Sequence, residues 1–395
     1  MTQGIDYRRL QREGAFYVFD IGALHAQVAH LKERLPEGVR LCYAVKANPF
    51  IAGELGEDVA RYEICSPGEW AVCAALGLPS EKAVVSGLYK SEAFIRERVS
   101  DPGFHGILTV ESTQQYRQIC DAARDTGRGA TVLLRLTNGS QFGLDEADAA
   151  AIIEGRAAHP DVDIAGMQFF SGTQKTSVKK LAREIEAMDA FMLRMRDECG
   201  YAAREFEYGP GLPAASFRED AFDVDGILAA LSDSLRGMRA RAQITLELGR
   251  GIAAGCGRYF THVMDLKRNQ DQDYAITDGG MHQLVYYGQF MAMKQPFVSV
   301  AGKEDRPAGG KWNVCGALCS MNDLLVKQAE LPRLEVGDLL CFENAGAYCV
   351  TEGMSLFLSR DIPAVYLKHA DGTLTRVREN IETAHLNTPD YERKQ

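Results

Sequence analysis

Eight short apolar runs separated by helical patterns fill the first two thirds of the chain. This alternation constrains the fold more than any other feature. The runs cover residues 41–47, 61–66, 82–87, 106–112, 131–136, 164–170, 205–211 and 243–249. Several are near-continuously apolar rather than alternating, the pattern of parallel strands buried on both faces. The clearest intervening helix spans 177–199: Val178, Leu181, Ile185, Met188, Met192 and Met195 share one face, and Gly200 follows as a stop. Eight strands alternating with helices predict an α/β fold, a (β/α)8 TIM barrel.

After about residue 256 the texture changes. Residues 274–278, 339–343, 355–358 and 364–368 read as strands, with Asp371-Gly372 as a turn signal and few amphipathic helices between. Residues 16–20 form a further strand ahead of the barrel. The expected division is a barrel over 22–262 and a C-terminal β domain that also takes in 1–21, built from 1–21 and 263–395. The polar tail, 387–395, is expected to fray. A content of 46% hydrophobic residues suffices for one large core and a second domain.

The net charge of -10 argues against a nucleic-acid partner, which needs a basic face. No apolar run approaches the roughly 20 residues needed to cross a bilayer, and residues 1–14 contain no secretory-type apolar stretch. With ten scattered cysteines, this predicts a cytoplasmic protein with reduced thiols and no membrane association. Cys315 and Cys319 lack a second Cys/His pair at zinc spacing, so no metal site is expected.

Barrel sites lie at the C-terminal ends of the strands, and the unusual residues gather there. Lys46 follows the first run in Tyr43-Ala44-Val45-Lys46-Ala47-Asn48. A lysine partly desolvated at a barrel mouth has a lowered pKa and can attack a carbonyl; taken alone, it reads far better as a surface lysine at a strand end. Gly209-Pro210-Gly211 would let backbone N–H groups approach a phosphate. Gly209-x-Gly211-x-x-Ala214 also matches a dinucleotide fingerprint, although Pro213 disrupts a helix start there. Glu247-Leu248-Gly249-Arg250 suits a cationic ring nitrogen and an anionic phosphate, or a plain ion pair. Cys319, Asp323 and Gly346-Ala347-Tyr348 read singly as a structural cysteine and ordinary turns.

Taken in order, nine motifs resemble the fold type III pyridoxal-phosphate decarboxylases, the family of diaminopimelate and ornithine decarboxylases. They are Tyr43-Ala44-Val45-Lys46-Ala47-Asn48, Ser66-x-Gly68-Glu69, Gln141-Phe142-Gly143, Gly209-x-Gly211, Glu247-x-Gly249-Arg250, Asp278-Gly279-Gly280, Cys319-x-x-x-Asp323, Gly337-Asp338 and Gly346-Ala347-Tyr348. The resemblance runs from Phe16 to about Leu367. It implies a barrel plus a β domain, pyridoxal 5'-phosphate as cofactor, and a head-to-tail homodimer with shared active sites. It implies that Lys46 forms the Schiff base, that Glu247 meets the pyridine nitrogen, and that Glu63 lies beside the cofactor. Gly209, Gly211, Gly249, Arg250 and Tyr348 would hold the phosphate. Arg250 would also meet a substrate carboxylate, with Asp323 in the substrate site. Cys319 would protonate the α-carbon after carbon dioxide leaves. Cys319 and Tyr348 would complete the partner's site.

The departures concern the substrate. Phe170 stands where the family has a histidine stacked on the cofactor; a phenyl ring can stack but cannot donate a hydrogen bond. Thr173 replaces a serine and keeps a hydroxyl for the phosphate. Ser320 replaces the acidic residue that follows the cysteine, and Tyr286 replaces an arginine after Asp278-Gly279-Gly280. A buried substrate charge without its partner would cost on the order of 3–5 kcal/mol, so neither standard substrate is expected. The Ser-Gly-Thr-Gln and Tyr-Tyr-Gly-Gln segments resemble a secondary-metabolism branch acting on citrate-linked diamino acids in siderophore assembly, or carrier-linked glutamate in antibiotic assembly. Diaminopimelate decarboxylation is the first alternative. A racemase is opposed by Glu247 and Cys319, since racemases of this fold set an arginine against the pyridine nitrogen. A regulatory decoy binding a protein is opposed by the retained Lys46 and Cys319.

Overall fold

The computed structural model describes Leu10, residues 14–303 and residues 306–390. The chain divides into two compact units, Gln27–Pro213 with Phe222–Ile252, and Met1–Ala26 with Ala214–Ala221 and Ala253–Gln395. The first strand, β1 (Phe16–Asp20), belongs to the second of these.

The first unit is the expected barrel. Its strands are β2 (Arg40–Ala44), β3 (Arg61–Ile64), β4 (Ala83–Val85), β5 (Ile107–Val110), β6 (Ala130–Leu136), β7 (Val162–Phe170), β8 (Glu205–Gly209) and β9 (Gln243–Leu248). They close into a parallel ring, β9 returning to β2 with Leu246 opposite Leu41. The long helix Val178–Cys199 starts on Ser177, whose Oγ accepts the Lys180 N–H, and stops at Gly200 with φ +65°. Leu181, Ile185, Met188, Met192 and Met195 are buried as the periodicity requires, but Val178 in the first turn is exposed.

The second unit is a nine-stranded mixed sheet. It adds β10 (Gly257–Asn269), β11 (Gln272–Thr277), β12 (Val298–Val300), β13 (Ala308–Cys315), β14 (Leu324–Pro332), β15 (Leu339–Phe342), β16 (Ala364–Lys368) and β17 (Leu374–Arg378). The order is β14-β13-β11-β10-β1-β16-β17, with β15 on β10 and β12 on β15. The strand at 16–20 is therefore central to this sheet: β1 runs antiparallel to β10 and parallel to β16. Phe16 stacks on Phe260 at 4.9 Å in a core with Val18, Leu339, Cys341, Ala364 and Tyr366.

One expected strand is absent. Residues 355–358 form turns, with Leu358 and Ser359 left-handed at φ +59° and +50°. Leu356, Phe357 and Leu358 are exposed, so apolarity there does not mark a buried strand. Other strands escaped the sequence pattern. The β13–β14 pairing shifts register three times, which breaks the alternation a strand would otherwise show, and β17 is a largely exposed edge. Of the polar tail, residues 391–395 lie outside the described residues. Asn387 is tied down, donating to the Leu356 carbonyl and the Ser359 hydroxyl.

Candidate active site

Lys46 projects from a single 3-10 turn, Val45–Ala47, that begins where β2 ends. Asn48 closes it: its N–H donates to the Val45 carbonyl, and its Oδ1 accepts the Phe50 N–H past Pro49. The strand thus stops before the lysine. Apolar surroundings do not define the amine either. Its side chain is 39% exposed, with Nζ 2.5 Å from Glu63 Oε2 and 3.7 Å from Glu247 Oε1. This grouping follows from the ring, because β3 and β9 flank β2, with Glu63 opposite Ala44 and Glu247 opposite Cys42.

One ammonium serves two buried carboxylates unequally. Burial alone would push Glu63 up, but the Lys46 charge and hydrogen bond reverse this and hold it below the ordinary carboxylate range. Burial and the Glu63 charge push Glu247 above that range. Cys65 completes the group, 3.5 Å from Lys46 Nζ and donating to Glu63 Oε1 at 3.2 Å. Burial keeps its thiol protonated well above the usual range.

The Ser66-x-Gly68-Glu69 motif is a helix cap. Ser66 Oγ accepts the Glu69 N–H, and Glu69 Oε2 accepts the Cys65 N–H at 2.6 Å. The cap anchors the end of β3, and with it Glu63. Gln141-Phe142-Gly143 is fixed similarly. Glu111 accepts the Gly143 N–H at 3.0 Å and pairs with Arg135 at 2.7 Å, while the Arg135 guanidinium lies over the Phe142 ring.

Phe170 and Gly209 end neighbouring strands in register. A Cβ on Gly209 would lie 2.5 Å from the Phe170 ring, and one on Gly211 would lie 2.0 Å from the Gly172 carbonyl oxygen. Gly211 also has φ +60°, so glycine is required there twice over. Thr173 sits in the loop that Gly211 touches. Gly249 follows β9, and the buried Arg250 opens the short helix Arg250–Ala253.

The remaining expected residues lie in the sheet unit. Cys319 is the one exposed thiol of the ten cysteines, none of which is in a disulfide. Asp323 is not open to a ligand: its Oδ1 accepts the Met281 N–H and its Oδ2 the Leu318 N–H, both at 2.7 Å. Gly280 and Gly316 press against that carboxylate, where any Cβ would lie within 2.6 Å of it. Asp323 therefore ties the cysteine loop to Asp278-Gly279-Gly280. Ser320 stays within this loop, its Oγ accepting the Asn322 N–H. Tyr286 is buried, its hydroxyl donating to the Glu343 carbonyl at 2.5 Å. It lines an uncharged cavity of about 130 Å³ with Met281, Leu284, Phe290, Asn322 and Leu324. Tyr348 has a left-handed backbone, φ +68°, just after Gly346, where a Cβ would meet the Ala253 carbonyl oxygen. Gly337-Asp338 is a structural turn, Asp338 pairing with Lys303 and Arg306.

Sequence reasoning missed several charged groups of the barrel. Arg135 interrupts an apolar strand and was visible as such. Lys90 is buried, its Nζ donating to the Gly87 carbonyl, and burial lowers it to about 8. Glu207 on β8 is buried and accepts a hydrogen bond from Gln168 at 2.6 Å, and burial pushes it up to about 7. Among the described residues no group of three or more His, Cys, Asp or Glu could hold a metal. No helix among them is long and apolar enough to cross a membrane.

The chain is similar to known proteins over most of its length. The model of the family described as "Pyridoxal-dependent decarboxylase, C-terminal sheet domain" matches residues 16–346. The L-glutamyl-[BtrI acyl-carrier protein] decarboxylase of Niallia circulans is 25% identical over 90% of this chain and 89% of its own. Diaminopimelate decarboxylase of Pseudomonas fluorescens is 28% identical over 84% and 82%. The crystal structure of diaminopimelate decarboxylase from M. jannaschii superimposes with a TM-score of 0.85 at 20% identity, covering 98% of this chain and 95% of that one. With most of its length matched by that model, the chain belongs to the pyridoxal-dependent decarboxylases.

Proposed function

We propose that this pyridoxal-phosphate-dependent amino-acid decarboxylase acts on an amino acid conjugated at its far end. Carrier-linked glutamate and citrate-linked diamino acids, precursors of antibiotics or siderophores, are the candidate substrates. The observation that carries this reading is the uncharged cavity lined by Tyr286. Where a free diamino acid would need a buried counter-charge, the Tyr286 hydroxyl is committed to a backbone carbonyl and Ser320 is neutral. The similarity to a glutamyl-carrier decarboxylase supports the same view.

The residues present fit the cofactor. Glycines at 209 and 211 admit no Cβ, which suits the close backbone approach that a phosphate needs, and an amine stands beside two carboxylates. Bound pyridoxal phosphate supplies an electron sink for the pair left behind when carbon dioxide departs. Lys46 would hold it covalently. Glu247 would stabilise a protonated ring nitrogen, and a cation there would compensate the burial that otherwise raises this carboxyl. Glu63 holds the Lys46 amine in place, and the Phe170 ring would be available to stack on the pyridine. Gly209, Gly211, Thr173, Gly249 and Arg250, with Tyr348 from the second copy of a dimer, would hold the phosphate, and Arg250 would also meet the substrate carboxylate. Cys319, from the second copy of a head-to-tail dimer, returns a proton to the α-carbon.

A screen of decarboxylation read by mass tests the substrate class. It compares diaminopimelate, ornithine, lysine, free glutamate, carrier-linked glutamate and citrate-conjugated diamino acids. Turnover of a conjugate with little of the free acids is expected. Efficient turnover of free diaminopimelate would overturn the proposal and favour the reading that the similarity to diaminopimelate decarboxylases also supports.

A further inference from the structure

Behind the glycine turns lies a buried ionic cluster that the site described above does not use. Lys175 is 7% exposed and Glu184, on the helix Val178–Cys199, is 9% exposed. Lys175 Nζ is 2.7 Å from Glu184 Oε2, 3.0 Å from Ser171 Oγ, and 3.4 Å from both the Tyr208 hydroxyl and the Gly209 carbonyl. Glu184 accepts two further hydrogen bonds, from Ser171 Oγ at 2.5 Å and from the Tyr208 hydroxyl at 2.7 Å. The Lys175 backbone N–H donates to the Gly211 carbonyl at 2.9 Å.

The cluster joins three segments. Ser171 and Lys175 bracket the loop that holds Thr173. Tyr208, Gly209 and Gly211 belong to the end of β8 and the turn after it. Glu184 belongs to the helix behind both. An isolated buried ion pair gains little net stability, because desolvation offsets the Coulomb attraction; in some systems such a pair instead fixes one geometry. Here that geometry is the spacing of the two turns whose backbone touches at Gly172 and Gly211.

We propose that Lys175 and Glu184 are positioning residues for the cofactor phosphate. They lock the 171–175 loop against the 208–211 turn so that the N–H groups and the Thr173 hydroxyl converge on one anion. The pair is neutral overall, so it acts through geometry and not through added positive charge. This inference rests on the assignment of the phosphate to Thr173, Gly209 and Gly211. It predicts a defect specific to the phosphate and not to the aldehyde or ring.

Binding of pyridoxal phosphate and of pyridoxal, which lacks the phosphate, is measured on cofactor-free full-length protein by visible absorbance and equilibrium dialysis. The proteins are wild type, Lys175→Met, and Lys175→Met with Glu184→Leu; the double variant removes both charges and leaves no unpaired ion to unfold the chain. A Ser171→Ala variant, which deletes the two hydrogen bonds of that hydroxyl and leaves both charges, provides a milder lesion. The expected result is at least tenfold weaker binding of pyridoxal phosphate in the lysine variants and a smaller loss in Ser171→Ala. Pyridoxal affinity stays unchanged, and the 31P resonance of the bound cofactor broadens. Unchanged pyridoxal phosphate affinity, or an equal fall for both ligands, would overturn the inference. If wild type does not prefer pyridoxal phosphate to pyridoxal, the phosphate assignment itself fails and the inference falls with it.

Discussion

The Lys46 ammonium lies 2.5 Å from the Glu63 carboxylate, with Glu63 only 2% exposed. The lysine proposed to carry the cofactor is thus also the counter-ion of a buried acid. Lys46→Ala should abolish cofactor absorbance and carbon dioxide release. It should also cost about 1–3 kcal/mol of stability at pH 8, less than for a fully buried pair because the lysine is partly exposed. The Glu63 pKa is lowered in the fold, so this stabilisation exists above its ordinary value of 4.5 and is lost as pH falls through the folded value. Adding Glu63→Gln should recover most of the loss at pH 8. Thermal unfolding of the two variants would expose the error if Lys46→Ala proved as stable as wild type there.

Glu247→Gln should retain the fold and cofactor, because a neutral amide replaces a carboxyl that burial already disfavours as an anion. Its kcat should fall roughly 10²–10³-fold, the scale of losing one preorganised electrostatic partner. Steady-state kinetics at saturating cofactor would decide this, and a kcat within a factor of three of wild type would refute the ring-nitrogen role.

Glu207 should make the cofactor-free protein lose stability as pH rises. Its folded pKa is about 7 against an ordinary 4.5. Between these values the folded state holds a proton that the unfolded state has released. Stability therefore falls with rising pH across that window, by about 3 kcal/mol in all at 1.36 kcal/mol per pKa unit. Glu207→Gln should melt higher than wild type at pH 8 and equally at pH 4. Calorimetry at the two pH values checks the sign.

Asp323 and Cys319 should separate structure from chemistry. Asp323→Ala strands two buried N–H groups, Met281 and Leu318, at roughly 1–3 kcal/mol each. It should lower both thermal stability and kcat. Cys319→Ala should lower kcat alone, because the side chain is exposed. Iodoacetamide should label Cys319 first in wild type; mass mapping that found another thiol labelled first would contradict the exposure pattern.

Phe170→Ala should weaken cofactor binding modestly. Loss of ring stacking is worth about 0.5–1.5 kcal/mol, or about two- to tenfold in affinity. Gly209→Ala should do more, since its Cβ would meet the Phe170 ring at 2.5 Å and force the ring away. An affinity order reversed between these two variants, measured by absorbance titration, would show that Phe170 is not held by that glycine.

How far the sequence reaches is visible residue by residue. Periodicity alone determined the eight barrel strands and the helix Val178–Cys199, because both patterns are local: an apolar run long enough for one strand, an apolar face repeating each turn. The order of motifs along the chain determined the family and the candidate residues. Tertiary structure decided what those residues meet. Lys46 gains Glu63 from the neighbouring β3, and gains Glu247 because the ring closes β9 onto β2, a contact between positions about 200 residues apart. Asp323, expected at the substrate, is consumed by two backbone N–H groups of its own loops. The Tyr286 hydroxyl is consumed by the Glu343 carbonyl. The sheet strands with bulged or exposed pairing were illegible, because their register is set by partners distant in sequence and not by an alternation of their own. Lys175 and Glu184 looked like two more charges in a polar loop and helix. Only the packing of the 171–175 loop, the 208–211 turn and the helix behind them buried the pair.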